Sequence, residues 1–411
     1  MLERSKRMNV PEIRFKEFCD YYSDVLLEKC LSVSNKKNNK LEYKKEDALS
    51  VSDEFGVVNQ IEHLGRSYTG NNISTYKILN KGQIVYTKSP LKLKPFGIIK
   101  VNNNKPGIVS VLYAIYDVKE GFDPNYISVY FEPNFRLNRY LLPLINKGAK
   151  NTINISDETA LSGEVHIPLS YAEQQKIASY FQSLDSLIQT TSKKLASLKQ
   201  IKAANLQSMF PQEGETVPKV RFKGFEGEWE EKSFSALYKK SIIKNDLTFG
   251  TDKIISVANM YYLTNVNVSD LEYLKTYNIM KLGDIAFEGN KSKRFLHGRF
   301  VENTIGDGIV SHVFVVFHPI SAEHDINYWK YAINNENIMR NVLIRCTKSS
   351  TMMTDLVVDD FLKETILVPS YAEQQKIGAY FRNLDQQISL QTQRLEKLKQ
   401  IKAACLDKMF V

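Results

Sequence analysis

Clusters of lysine, asparagine and arginine are the side chains of this sequence best suited to chemistry with a ligand. They lie between residues 36 and 105 in the first half and between residues 244 and 299 in the second. The candidates are Lys36, Lys37, Asn38, Lys40, Lys44, Lys88, Lys92, Lys94, Lys105, Lys244, Asn290, Lys291, Lys293, Arg294, His297 and Arg299. Lysine and arginine neutralise phosphates, whereas asparagine and arginine can also reach base edges. The clusters therefore predict contact with DNA, although any single lysine could equally belong to a solvated loop.

Motifs that carry catalysis are missing from the sequence. There is no GxxxxGK[ST] loop for a nucleoside triphosphate and no glycine-rich turn after a strand for a methyl donor. Residues 123–126, Asp-Pro-Asn-Tyr, resemble the motif with which amino-methyltransferases hold the target amine. Residues 325–328, Asp-Ile-Asn-Tyr, repeat it without the proline, so we interpret the aspartate as a helix N-cap and the tyrosine as a core residue. The histidines and cysteines have no metal-ligand spacing, so we predict no catalytic or metal-binding residue.

Composition and charge fit this interpretation. The 411 residues include 55 Lys and Arg against 46 Asp and Glu, for a net charge of +9. A basic protein favours a polyanionic partner, nucleic acid before an anionic membrane surface. No run of about 18 apolar residues could cross a membrane, and the charged N-terminus predicts no signal peptide. We therefore expect a cytoplasmic protein without a membrane partner.

A duplicated segment supplies the frame for these clusters. Residues 170–210 and 370–410 are identical at 24 of 41 positions, and apolar residues in both copies alternate steps of four and three. This is the a/d pattern of a coiled coil. The predicted seam consists of Ile177, Phe181, Leu184, Ile188, Leu195 and Leu198, and of Ile377, Phe381, Leu384, Ile388, Leu395 and Leu398. Each copy predicts one helix of roughly 60 Å, which pairs with the other copy or, alternatively, packs on a globular core.

The repetition extends beyond these helices. Residues 11–18 return as 218–225, and residues 78–86 return as 279–287. The segments between such landmarks, which hold the basic clusters, have almost nothing in common. A shared frame with dissimilar surfaces is suited to two different targets.

Domain boundaries follow from the repeat and from a short polar linker bracketed by prolines. We predict a first domain at 1–166, a long helix at 167–210, a linker at 211–217, a second domain at 218–366 and a C-terminal long helix at 367–411.

The order of these parts resembles the specificity subunit of type I restriction-modification systems over essentially the whole chain. The motifs that carry the resemblance are the opening segments PEIRF and PKVRF at 11–15 and 218–222, and SYAEQQKI at 170–177 and 370–377. One departure is Cys-Asp-Tyr-Tyr at 19–22, where the family has Gly-x-Trp, as at 227–229. This departure leaves the local packing of the first domain open.

The resemblance implies an α+β fold, in which two pseudo-repeated α/β target-recognition domains are separated by two long helices that form an antiparallel coiled coil. It also implies a non-catalytic subunit whose domains each read one half of a bipartite, asymmetric site in double-stranded DNA, with the coiled coil setting the spacer. Two modification subunits with S-adenosylmethionine would methylate adenine, and restriction subunits would use ATP and Mg. No cofactor is expected in this chain.

Polar residues repeated at the start of both long helices are not needed for the seam. We predict that they hold partner subunits or join the domain to the helix. They are Glu173, Gln174, Gln175, Lys176, Glu373, Gln374, Gln375 and Lys376.

Two other classes of protein remain open. A coiled-coil scaffold that binds proteins instead of DNA would show no salt-dependent DNA binding. A stand-alone DNA-modifying enzyme would need the methyl-donor and target-amine motifs that the sequence lacks.

Overall fold

The computed structural model describes residues 10–91, 93–147, 153–264, 266, 270–293, 295–349 and 353–411. The chain divides into two compact units, one formed by Met1–Thr191 with Arg394–Val411 and the other by Ser192–Gln393. Each unit combines antiparallel strands, short helices and parts of two long helices. The predicted α+β fold is confirmed.

The first unit begins with short strands and ends in a long helix. Its strands are β1 (Ser23–Leu26), β2 (Leu31–Val33), β3 (Leu49–Ser52), β4 (Gly56–Asn59), β5 (Lys77–Leu79), β6 (Ile84–Tyr86), β7 (Ile99–Val101), β8 (Gly107–Val109), β9 (Ala114–Val118), β10 (Asn146–Lys147), β11 (Ile153–Asn154) and β12 (Glu164–Ile167). Its helices are α1 (Leu27–Cys30), α2 (Gln60–Leu64), α3 (Pro124–Tyr130), α4 (Asn134–Leu141) and the first part of α5 (Tyr171–Ser208), and the end of the C-terminal long helix also belongs to this unit.

A four-stranded antiparallel sheet with the order β2-β9-β6-β7 lies at the centre of the first unit. Strand β6 reads Ile-Val-Tyr and is buried at all three positions, as β-branched and aromatic residues of a central strand are expected to be. Its register pairs Ile84 with Tyr116 of β9 and with Val101 of β7. The pairs β1-β12, β3-β4, β5-β8 and β10-β11 complete the unit.

The second unit repeats this plan. Its strands are β13 (Glu230–Ser233), β14 (Tyr238–Lys240), β15 (Ile255–Ser256), β16 (Tyr261–Tyr262), β17 (Asn278–Met280), β18 (Ile285–Glu288), β19 (Arg299–Glu302), β20 (Gly308–Val310), β21 (Val315–Pro319), β22 (Thr347–Ser349), β23 (Thr354–Leu356) and β24 (Thr365–Val368). Its helices are α6 (Phe234–Leu237), α7 (Ile326–Ala332), α8 (Glu336–Cys346), α9 (Val358–Lys363) and the first part of α10 (Tyr371–Lys408).

The order of the second four-stranded sheet is β14-β21-β18-β19. Each strand stands where its counterpart stands in the first sheet, and the pairs β13-β24, β17-β20 and β22-β23 match β1-β12, β5-β8 and β10-β11. The sequence repeat is therefore a repeat of the fold.

The long helices start and stop for local reasons. Ser170 Oγ accepts a hydrogen bond from the Glu173 amide at 3.3 Å, and Ser370 Oγ accepts one from the Glu373 amide at 3.4 Å, as N-cap serines do. Each helix has 38 residues and no proline inside, and Pro211 follows the first. Each is therefore about 57 Å long at ~1.5 Å per residue.

In each unit the start of one long helix packs beside the end of the other. Ile177 and Phe181 of α5 share a core cluster with Cys405 and Met409 of α10 in the first unit. In the second unit Ile377 and Phe381 share one with Leu198 and Met209. The helices thus run antiparallel, as predicted.

The seam residues face these cores to different degrees. Ile177, Phe181, Leu184, Leu195, Leu198, Ile377, Phe381, Leu384 and Leu395 are buried, whereas Ile188, Ile388 and Leu398 are half-buried. No helix in the described part of the chain is long and apolar enough to span a membrane.

A tyrosine replaces the tryptophan of the second opening segment without loss of packing. Tyr22 is buried, and its hydroxyl donates to Glu173 Oε1 or to the Met409 carbonyl, each at 3.4 Å. Its counterpart Trp229 is also buried and packs edge-on against Phe210, with the ring centroids 6.0 Å apart. The first domain therefore keeps an aromatic residue at this place in the core.

The two Asp-x-Asn-Tyr segments are helix starts. Asp123 Oδ1 accepts from the Tyr126 amide and Asp325 Oδ1 accepts from the Tyr328 amide, both at 2.8 Å. The side chains of Tyr126 and Tyr328 are completely buried. The predicted N-cap and core roles are confirmed.

Candidate nucleic-acid interface

The repeated glutamates bind the opening segments inside each unit. Arg14 Nε and Nη2 donate to the two carboxylate oxygens of Glu173, each at 2.7 Å. Arg221 makes the same two contacts with Glu373, at 2.7 and 2.8 Å. The glutamate side chains are only 1% exposed, and the hydrogen bond to Glu173 raises the pKa of Arg14 against the effect of burial.

The repeated first glutamines are also used internally. Gln174 Oε1 accepts from the Asp123 amide at 2.9 Å, and its Nε2 donates to the Pro168 carbonyl at 2.9 Å. Gln374 contacts the Asp325 amide and the Pro369 carbonyl in the same way. Glu173, Gln174 and their counterparts are buried and hydrogen-bonded within their own unit. Of the two predicted roles, the described contacts correspond to contact between domain and helix.

The next residues of the motif are at the surface. Gln175, Lys176, Gln375 and Lys376 are exposed, and Lys176 forms an ion pair with Glu17. Subunit docking stays a prediction for these four.

In the first unit, one predicted DNA contact, Lys88, joins Lys77 in binding Asp157, which follows β11. Lys77 Nζ donates to Asp157 Oδ2 at 2.8 Å and Lys88 Nζ donates to Oδ1 at 2.5 Å. Burial raises the pKa of Asp157, but the hydrogen bonds from the two lysines outweigh it, so that pKa lies below its ordinary value. Lys88 is thus held in an internal ion pair, with its charge neutralised.

The basic loop after β2 runs beside β5. The Ile78 amide donates to the Lys36 carbonyl, and the Asn38 amide donates to the Tyr76 carbonyl, each at 2.9 Å. Lys36, Lys37, Lys40 and Lys44 are exposed along this loop.

Asn38 is a structural residue. It is 1% exposed, its Nδ2 donates to the Tyr43 carbonyl and its Oδ1 accepts from the Tyr43 amide. Asn245 closes the matching loop of the second unit through the Phe249 carbonyl and amide. The side-chain amide of Asn38 is thus used within its own loop, and its contact with DNA stays a prediction.

The remaining described candidates of the first unit divide between half-buried and exposed positions. Lys94 Nζ donates to the Glu132 carbonyl at 2.7 Å and lies 3.4 Å from Asp53, so it fastens its own loop and does not present its charge to a ligand. Lys105 is exposed in the turn between β7 and β8. Lys92 lies outside the described residues.

In the second unit, Lys244 and the loop between β18 and β19 carry the candidates. Lys244 is exposed, and its Nζ donates to Asn278 Oδ1 at 2.7 Å. Asn290, Lys291 and Lys293 are exposed and His297 is half-buried. Arg294 lies outside the described residues.

Arg299 anchors the base of this loop. Its Nε donates to Glu288 Oε2 at 2.6 Å, and Nη2 donates to the Ala258 carbonyl at 2.8 Å. The guanidinium also lies over the Phe295 ring, 4.9 Å from its centroid. Arg299 therefore positions the loop, and its contact with DNA stays a prediction.

Sequence reasoning missed the hairpins β10-β11 and β22-β23, which precede the last short strand of each unit. Lys348 of β22 is exposed, and the isolated bridge between Asn290 and Met353 joins its hairpin to the loop after β18. The sequence signal was a polar stretch in each half, rich in Asn and Lys at 146–154 and in Ser and Thr at 347–354. The described residues contain no group of His, Cys, Asp and Glu that could hold a metal ion.

Comparison with known proteins shows what this chain is similar to. Residues 227–400 match the family model described as the type I restriction modification DNA specificity domain. Most of the matched residues lie in the second unit. No curated protein matches the chain by sequence.

Solved structures extend the likeness to the first half. The S subunit of a type I restriction-modification system from M. genitalium superposes with a TM-score of 0.59 at 10% identity, over 98% of this chain and 99% of that chain. The HsdS subunit from Thermoanaerobacter tengcongensis has a TM-score of 0.44 at 13% identity, over 95% and 96%. The fold of the M. genitalium subunit thus spans nearly the whole chain. The resemblance to type I specificity subunits is confirmed.

Proposed function

We propose that this chain is the non-catalytic DNA-recognition subunit of a type I restriction-modification complex and that each domain reads one half of a bipartite, asymmetric site. The observation that carries the proposal is the same sheet order in two units whose exposed loops differ. Two equal frames with unlike basic surfaces are suited to two unlike half-sites. The two long helices would set the spacer.

The partners follow from the same proposal. Two modification subunits would supply the S-adenosylmethionine site and methylate adenine, and restriction subunits would supply ATP- and Mg-dependent cleavage. The exposed, repeated residues Gln175, Lys176, Gln375 and Lys376 are the candidates for holding them. The complex would act on double-stranded DNA in the cytoplasm.

Expression of the chain with its modification partner tests the proposal when methylated adenines are mapped across the host genome. The expected result is one asymmetric motif with two specified halves and a fixed gap. Replacing residues 11–165 with another domain of this kind should change one half only. Methylation at a single uninterrupted motif, or a change in both halves after the exchange, would overturn the proposal.

A protein scaffold is the competing function, and salt separates the two. For a DNA reader, the logarithm of the binding constant should fall linearly with the logarithm of salt concentration, because phosphate contacts release counterions. The exposed lysines of both units favour this result. No DNA binding at about 50 mM salt would favour the scaffold.

A further inference from the structure

The loop between β18 and β19 and the hairpin β22-β23 are joined backbone to backbone. The Thr354 amide donates to the Gly289 carbonyl at 2.8 Å, and a bridge pairs Asn290 with Met353. A Cβ at position 289 would lie 2.2 Å from the Thr354 carbonyl oxygen. Only glycine therefore lets the hairpin come this close to the loop.

The loop is ordered by its own contacts as well. The Ser292 amide donates to the Phe295 carbonyl at 3.1 Å, and Ser292 Oγ accepts from the Phe295 amide at 3.0 Å. Phe295 is 8% exposed. The side chains of Lys293 and Lys348 are exposed, one on each of the two joined pieces. Loop and hairpin together thus present positive charge from a fixed backbone.

The first unit fastens the corresponding pieces by charge. Asp157, just after the β10-β11 hairpin, binds Lys77 at the start of β5 and Lys88 in the loop after β6. At a constant offset of 201, the second unit has Asn278, Gly289 and Val358 at these places. All three residues differ between the halves. The ion pairs of Asp157 in the first unit are therefore replaced by the close contact at Gly289 in the second.

We propose that the paired strands before the last short strand of each unit, β10-β11 and β22-β23, form the second arm of its DNA-reading surface, with Lys348 contacting DNA. Asp157 in one unit and Gly289 in the other are positioning residues that hold this arm against the loop. The proposal rests on the proposed DNA-reading function. An isolated two-stranded hairpin is marginally stable in water, and a recognition site needs supporting contacts to hold its groups in place. The ion pairs of Asp157 supply this support in the first unit, and the close backbone contact at Gly289 supplies it in the second.

The contact is tested with K348A in the chain assembled with its modification subunit. Loss of one phosphate contact should weaken binding to all sequences alike and lower the slope of log binding constant against log salt by about one. K363A is the matched control, since Lys363 is an exposed lysine of the same unit whose ion pair with Asp360 lies within one helix. Equal affinities and slopes for K348A and K363A would overturn the contact.

The positioning role is tested with G289A, whose control is G250A, because a Cβ at position 250 would meet only the Asp252 carboxylate at 3.1 Å. Methylation should become roughly tenfold less selective at one half-site and keep its selectivity at the other. The corresponding test of the first unit is the triple variant K77N/K88G/D157V. It should lower selectivity at the half-site that G289A leaves unchanged. A purely structural role would lower total activity and leave both half-sites equally selective.

These variants distinguish a failure of the two-armed surface from a failure of the proposed DNA-reading function. If the unaltered chain directs methylation to a bipartite motif but the G289A and K77N/K88G/D157V variants keep its selectivity, the two-armed surface is wrong and the DNA-reading function stands. If the unaltered chain directs none, the proposed function itself fails.

Discussion

Arginine and glutamate residues that both repeats share form buried ion pairs between the opening segments and the long helices. The pairs Arg14-Glu173 and Arg221-Glu373 join residues 159 and 152 positions apart. Both contacts are bidentate, the geometry in which arginine and carboxylate bind best. A buried carboxylate needs such a partner, because removal of water from an unpaired charge is costly.

Replacing Arg14 by alanine should destabilise the first unit by roughly 3–5 kcal/mol, because Glu173 would stay buried without its partner. Urea-induced unfolding measures the change. The exposed ion pair of Lys176 with Glu17 provides the control, and K176A should leave the free energy of unfolding nearly unchanged. Equal effects of the two substitutions would contradict the assigned role of Arg14.

A buried acid and a buried imidazole meet in the second unit. Glu302 Oε1 lies 2.8 Å from His324 Nε2, and the imidazole stacks on Trp329 at 5.5 Å between centroids. Burial raises the pKa of Glu302 well above its ordinary value, with Asp325 adding to the effect and Lys330 opposing it. Burial, with a smaller effect of His318, lowers the pKa of His324 to about 4. Burial therefore favours the uncharged form of both side chains.

These shifts give stability a defined pH dependence. Above about pH 4.5 the unfolded chain releases the Glu302 proton that the folded chain keeps. The contribution of Glu302 to the free energy of unfolding therefore falls as pH rises. Below about pH 6.5 His324 binds a proton in the unfolded chain but not in the folded chain. The contribution of His324 to the free energy of unfolding therefore falls as pH falls. The two slopes cancel between these values, and only the loss due to Glu302 acts above pH 6.5.

We expect the double substitution E302V/H324F to remove this dependence, since Val101 and Phe122 stand at the matching positions of the first unit. The difference in unfolding free energy between the original chain and the variant should be level from pH 4.5 to 6.5. Above pH 6.5 it should fall with rising pH, by at most about 1.4 kcal/mol per pH unit, for as long as Glu302 keeps its proton in the folded chain. Chemical denaturation across this range measures it, and parallel curves would refute the assignment.

At the scale of elements, the two long helices are alike in length and differ at one close contact. In α10, a Cβ at Gly378 would lie 2.4 Å from Asp325 Oδ1 and 2.7 Å from the Tyr328 amide. Those two atoms form the N-cap of α7. The matching residue of α5 is Ala178. Glycine therefore serves here to seat α10 against the start of α7.

The substitution G378A should destabilise the second unit by about 1–3 kcal/mol through overpacking, although alanine is worth about 1 kcal/mol more than glycine within a helix. The reciprocal substitution A178G should cost only about that helical preference. Thermal or urea unfolding of both variants checks the sign. A stabilised G378A protein would show that the helix start relaxes without cost.

The exposed part of the SYAEQQKI motif is expected to act in assembly. The quadruple variant Q175A/K176A/Q375A/K376A should weaken binding of the modification subunit, because these residues are repeated and exposed in both helices. The control is K193A/K194A, which changes exposed lysines of α5 that α10 does not repeat. Sedimentation or light scattering of the mixture reports assembly, and an intact complex would refute docking at this motif.

At the scale of the whole molecule, one chain contains the same architecture twice with different surfaces. The compact units differ from the predicted domains in one respect, since each unit includes the end of the other repeat's long helix. Helix ends and opening segments are tied together in both units, through the Ile13 amide to the Lys408 carbonyl and the Val220 amide to the Ser208 carbonyl, each at 2.9 Å.

The proposal that the two long helices set the spacer between the half-sites makes a prediction at this scale. Inserting four residues between Ser192 and Gln200 adds ~6 Å and nearly keeps the phase of the seam. Since DNA advances ~3.4 Å per base pair, the gap between the half-sites should lengthen by one or two base pairs. Methylome sequencing measures the gap. An active complex with an unchanged gap would show that the long helices do not set it. A two-residue insertion, which breaks the phase, should abolish assembly.

The sequence by itself determined the features that depend on neighbouring residues. The duplication, the heptad seam and the N-caps at Asp123 and Asp325 all follow local periodicity or short-range hydrogen bonding. The two helices and the repeated frame could therefore be predicted without coordinates.

Only the tertiary structure decided which basic side chains are exposed. Lys77 and Lys88 reach Asp157 across 80 and 69 residues, and Arg136 Nη2 reaches the Leu406 carbonyl across 270. Such pairs leave no periodic trace in the sequence, because the fold brings the partners together after each has satisfied its own local pattern. Lysines that look alike in sequence therefore include internal fasteners, such as Lys88 and Lys94, and exposed candidates for DNA contact, such as Lys36 and Lys293.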